Sequence, residues 1–242
     1  MNESLLRAQS VGKKFRPNAL VEAFLLGDLE ECERELAAVD PGDPAHEACA
    51  ALLRAGEALR DQDDFREPIE QLTPVLTSPP EDRDLFKALL MAAARLLLVV
   101  GRVSEAGRHL RLARQLAGRK DSAAARGFLL ECELFAAFAV LNTEKAYELG
   151  AEACALDVPR GSWLWYKLRI NYAKLAMNMV DLKVAEEVLA ELASIPPEDP
   201  ALLEMLTVAR VRLMTVVGRA REGLELIDGA GHFDLIAPWA PA

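Results

Sequence analysis

Apolar residues recur along this chain at spacings of three and four. Between residues 104 and 117, Ala106, Leu110, Ala113 and Leu116 lie four, three and three apart, which puts them on one helical face. Leu164, Leu168, Leu175 and Met179 draw a second such stripe. The same periodicity predicts long helices over 45–60, 82–100, 122–141, 162–180 and 200–217, each followed after two or three residues by a shorter partner. Start signals agree with those bounds. Asp43-Pro44 and Asp199-Pro200 offer a capping carboxylate before a proline at the first helical position, and Ser122 and Ser162 can cap the helices that follow them.

The punctuation between helices is periodic. A short turn and an apolar or small residue recur at Gly27-Asp28-Leu29, Asp63-Asp64-Phe65, Gly101-Arg102-Val103, Asn142-Thr143, Val180-Asp181-Leu182 and Gly218-Arg219-Ala220, at intervals of 36, 38, 40, 39 and 38 residues. Three positions further on stand Cys32, Ala106, Ala146, Ala185 and Gly223, small enough for two helices to cross closely, with Pro68 as the exception. Fifteen positions after the landmark, Pro44, Pro80, Gly118 and Pro197 end the second helix of a unit, with Val158 as the exception. A lone hairpin cannot hide apolar stripes on both of its helices, so neighbouring hairpins are expected to stack.

These residues resemble the tetratricopeptide family, with its turn glycine at Gly27, Gly101 and Gly218, its small residue at Ala106, Ala146 and Ala185, and its terminal proline at Pro44, Pro80 and Pro197. The likeness runs from about residue 17 to 228. The period exceeds the family's usual length of about 34 residues, a feature similar to the superhelical sensor domain of large ATP-dependent bacterial transcription activators. The resemblance implies an all-α, right-handed α-solenoid of about six helix-turn-helix repeats. It also implies a concave groove, lined by the first helix of each unit, in which a protein or peptide binds.

Composition narrows the picture. Hydrophobic residues make up 52% of the 242 and aromatics only 6%, which suits helices packed through Ala and Leu. A net charge of −10 argues against nucleic acid as a partner, because binding a phosphate backbone draws on Lys and Arg. No stretch has the roughly 20 apolar residues that span a bilayer, and Lys87 and Arg95 interrupt the most hydrophobic one. The N-terminus has no secretory pattern, so a bacterial-type cytoplasmic protein is expected, with Cys32, Cys49, Cys132 and Cys154 reduced and buried. The expected organisation is an N-terminal segment over 1–16, repeats over 17–228, and a tail over 229–242. Phe233, Leu235, Ile236 and Trp239 make that tail apolar enough to cap the last repeat.

Candidate chemistry is sparse. Neither phosphate-cradling glycine motif occurs, and His46, His109 and His232 fall in different units. His46 and Cys49 sit one turn apart and would need Cys32 to grip a metal; a surface histidine and core thiols are the plainer reading. Acidic pairs such as Glu31 with Glu35 read as a solvated face. No catalytic residue, metal or cofactor is assigned. The informative helix is 162–180, where Lys167, Asn171, Lys174 and Asn178 share a face at spacings of four, three and four. Arg95 and Arg212 extend that face into neighbouring units, and Arg54, Glu57 and Arg60 lie further along. Similar Lys/Asn ladders in the family hold peptide carboxylates, so these six residues are the candidate partner-binding strip. The chain is thus expected to be a non-catalytic protein- or peptide-binding scaffold. The alternatives are the ligand-sensing or oligomerising part of a bacterial transcription regulator, and a secretion-system chaperone. Its oligomeric state is open.

Overall fold

The computed structural model describes residues 17–61 and 64–229, and those residues form twelve α-helices and no strand. They are α1 (Asn18–Leu26), α2 (Leu29–Ala37), α3 (Pro44–Asp61), α4 (Arg66–Thr77), α5 (Arg83–Val99) and α6 (Val103–Leu116). The chain continues with α7 (Ala123–Ala139), α8 (Thr143–Cys154), α9 (Trp163–Asn178), α10 (Leu182–Ala193), α11 (Pro200–Val216) and α12 (Ala220–Gly229). The N-terminal segment and His232 lie outside the described residues, as does the tail expected to cap the last repeat. No described helix is long and apolar enough to cross a membrane.

Local chemistry fixes where these helices start. The Asp199 carboxylate and the hydroxyls of Ser122 and Ser162 each accept from backbone N–H groups of the first turn, as the sequence predicts, and the Asp82 carboxylate does the same. Asp43 accepts from the Ala45 N–H at 2.8 Å. Helix ends are as regular. After α1, α5, α7, α9 and α11 the chain enters the left-handed region at Gly27, Gly101, Leu141, Val180 and Gly218. The next N–H then reaches back to a carbonyl five residues earlier, at 2.7–2.9 Å: Asp28 to Ala23, Arg102 to Leu97, Asn142 to Ala137, Asp181 to Ala176 and Arg219 to Met214. One turn design is therefore used five times.

Consecutive helices pair, α1 with α2 through α11 with α12, and each second helix from α2 to α10 also touches the first helix of the next pair. The first helices α3, α5, α7, α9 and α11 lie side by side in chain order. Ala106, Ala146, Ala185 and Cys32 are fully buried at the crossings, where a larger side chain would force the helices apart. Lys87, which interrupts the apolar run of α5, is itself buried and holds Asp84 at 3.0 Å and Asp121 at 2.9 Å, so its charge is paired within the core. Trp165 packs in the interior, but Met179, assigned from its spacing to the core stripe, is 41% exposed because the helix ends at Asn178.

The first pair departs from simple stacking. Besides α2 and α3, α1 touches α5, α7 and α9, so it lies across the inner face of the following first helices. Phe24 meets Phe128 with ring centroids 5.4 Å apart, and Glu22 accepts from the Ser122 hydroxyl at 2.9 Å. At the far rim, Arg60 at the end of α3 pairs with Asp199, the cap of α11, at 3.2 Å.

Candidate binding surface

Helix α9 presents Lys167, Asn171, Lys174 and Asn178 inward, between α7 and α11. The Asn171 amide donates to Glu131 of α7 at 3.3 Å, and Asn178 accepts from Arg212 of α11 at 2.6 Å. Arg95 reaches in from α5 and stacks its guanidinium 3.7 Å from the centroid of Phe135. The structure thus brings all six candidates onto one inner face, but at unequal depth.

Lys167 and Asn171 are buried, at 7% and 8% exposure, whereas Asn178 and Arg212 are exposed and Lys174 is half-buried. The strip is therefore not a uniform groove floor. Its deep end is closed in beside α1, and its shallow end is open.

The deep end is electrostatically unusual. Lys167 Nζ lies 4.7 Å from the Trp163 ring centroid and 3.8 Å from the Met205 sulfur, both weak partners for an ammonium ion. Burial, with the nearby cations Arg95 and Lys174, brings its pKa down to about 8, against the opposing pull of Glu131. Burial, with Arg212 adding to it, also lowers the pKa of Lys174. Each cation in the series thus feels the next.

Two hollows adjoin this end. A cavity of about 30 Å³, enough for about two waters, is lined by Phe24, Phe128, Trp163 and the polar groups of Arg95, Glu131 and Lys167. Gly27, Leu29, Arg60 and Trp163 border both it and an outer cleft of about 390 Å³, whose far wall is the 195–202 segment. Glu131, missed by sequence reasoning, is the one buried carboxylate of the site. Its signal was a charged residue in the middle of the otherwise apolar inward face of α7.

Cys32, Cys49 and Cys132 are buried free thiols and Cys154 is half-buried, and burial pushes the pKa of Cys32, Cys49 and Cys154 up to about 12. No group of three metal-binding side chains occurs among the described residues, so His46, Cys49 and Cys32 do not assemble into one.

No family model matches the chain, and no curated protein sequence matches it. In fold, it is similar to the crystal structure of BtubC (BKLC) from P. vanneervenii, with a TM-score of 0.57 over 93% of this chain and 97% of that one. The two are 18% identical, a likeness that bears on the fold alone.

Proposed function

We propose that the chain is a non-catalytic scaffold of the tetratricopeptide type, working in the cytoplasm of a bacterium, whose six hairpins form a right-handed superhelix. It takes an acidic protein or peptide segment at the open end of its inner cation strip. The observation that carries this reading is the convergence of Arg95, Lys167, Lys174 and Arg212 from three helices onto one face of a chain whose net charge is −10. Burial and, to a lesser degree, repulsion from neighbouring cations already depress the lysines, so an incoming carboxylate relieves a cost the free protein bears. A well-aligned charge-assisted hydrogen bond contributes about 1.5–3 kcal/mol. Lys174, Asn178 and Arg212 are the contacts within reach from solvent, while Lys167 and Asn171 act from beneath by holding the strip positive.

A labelled Glu-rich peptide, followed by fluorescence anisotropy, tests this. Wild type should bind it in a salt-dependent way and ignore a Gln-rich counterpart, and Lys174→Glu/Arg212→Glu should lose the binding while keeping its helical circular dichroism. Equal affinity of the two proteins for the acidic peptide, or none in either, sinks the reading.

A second reading, the ligand-sensing part of a bacterial transcription regulator, is favoured by the outer cleft alone. It falls within the 300–1,000 Å³ typical of small-molecule sites, and its rim is spanned by the Arg60–Asp199 pair.

A further inference from the structure

Eleven large apolar side chains are exposed among the described residues, and eight of them sit at the ends of first helices or in the turns that follow. They are not scattered. Leu141 and Val140 mark the turn after α7, Met179 and Val180 the turn after α9, and Val100 and Val216 the flanking turns of α5 and α11. Because α5, α7, α9 and α11 lie side by side, these turns form one apolar stripe along an edge of the molecule.

The two central residues are disfavoured twice. Leu141 and Val180 have φ of 61° and 60°, at the position where the sister turns place Gly27, Gly101 and Gly218 with φ of 77–79°. A β-branched side chain is an outlier there, and a leucine is uncommon. Nor does packing among the described residues compensate, since Leu141 is 87% and Val180 75% exposed. Glycine in the other three turns shows what the fold itself asks for. What Leu141 and Val180 add is apolar surface facing outward.

We infer that this stripe is the interface through which two copies of the chain dimerise. The eight residues, backbone included, expose on the order of 700 Å², close to the roughly 800 Å² per partner of a standard interface. The bulk is central and the valines are peripheral, so a two-fold axis between Leu141 and Val180 sets the leucine of one copy against the valine of the other. Four cations in or just after these turns each hold a carboxylate three or four residues on: Arg102 with Glu105, Lys145 with Glu148, Lys183 with Glu187 and Arg219 with Glu222. An approaching copy therefore needs no countercharge here. An anionic membrane would be recognised by cations without such partners. The stripe begins just past Asn178 and stands independently of the acidic-segment reading.

Sedimentation equilibrium on the full chain, with Leu141→Gly/Val180→Gly as comparison, tests the interface. Wild type should be dimeric at micromolar concentration, and the double variant should associate about a hundredfold more weakly, as loss of two central anchors implies. Because glycine suits both backbones, the variant should keep its circular dichroism spectrum and its monomer should melt no lower. A wild-type monomer at a hundred micromolar overturns the inference, whether the stripe is bare or covered by the chain's own residues 230–242. So does a double variant that dimerises as tightly.

Discussion

Gly27 lies against Trp163 where the first helix pair meets the fifth: a Cβ added to Gly27 would stand 2.6 Å from the tryptophan Cβ. That atom is fixed to the backbone of α9 and cannot swing away. Gly27 also has a φ of 78°, so Gly27→Ala should incur both a left-handed backbone cost of about 1 kcal/mol and an overpacking cost of about 1–3 kcal/mol. Gly218 has nearly the same φ, 79°, with nothing within 4 Å of its added Cβ. Gly218→Ala should therefore lose only about 1 kcal/mol. Urea denaturation of the two variants isolates the contact between the distant pairs, and equal losses would mean that Gly27 and Trp163 do not meet in solution.

The helices and their turns were legible because their causes are local. Asp82, Ser122, Ser162 and Asp199 bond within their own first turns, and the left-handed backbone at Gly27, Gly101 and Gly218 lets the next residue's N–H reach a carbonyl five residues behind it. The joint inward placement of the six strip residues was legible too, from helical spacing and the repeat register. The burial of Lys167 and Asn171 was not. It depends on α1 lying across α5, α7 and α9, and that depends on curvature accumulated over many helix crossings, which no single window of sequence records. A partial signal was present: Gly56 sits inside α3 against the usual helical cost, and its added Cβ would lie 2.8 Å from Leu29 Cδ2.

The depressed lysine makes stability depend on pH in a definite direction. Lys167 titrates near 8 in the folded chain and near 10.4 when unfolded. Below pH 8 both states hold the proton and the folded state bears the whole burial cost. Between about 8 and 10 only the unfolded chain still binds it, so unfolding free energy rises with pH by an amount on the order of 3 kcal/mol. Lys167→Met removes that rise. Wild type should be the less stable of the two at pH 7 and should close the gap by pH 10. Cysteine ionisation in the unfolded chain acts equally on both proteins and cancels. Parallel stability curves across that range would place Lys167 in water.

The thiols give a cheaper check on the interior. With Cys32, Cys49 and Cys132 buried and all four pKa values pushed up, the native chain has almost no thiolate to offer. An aromatic disulfide reagent at pH 8 should modify Cys154, which is half-buried, slowly and the other three only on the timescale of opening. All four should react at once in denaturant. Rapid native modification of Cys49 would contradict the packing of α3.

Two buried lysines should respond to the same substitution with opposite sign. Lys87 Nζ sits between Asp84 and Asp121, and the Asp121 side chain is only 11% exposed. Lys87→Met removes the cation and leaves that carboxylate buried without its charged partner, a loss of about 3–5 kcal/mol in comparable pairs. Lys167 instead rests on a ring and a sulfur, and Glu131 keeps the Asn171 amide when the ammonium is removed. Lys167→Met should thus stabilise the fold at neutral pH, by about 1–3 kcal/mol. Thermal melts at pH 7 decide it, with Lys87→Met falling below wild type and Lys167→Met rising above it. The same lysine that weakens the free protein keeps the strip positive, so Lys167→Met should also bind the acidic peptide less well than wild type. A variant both more stable and equally competent would separate the buried charge from binding altogether.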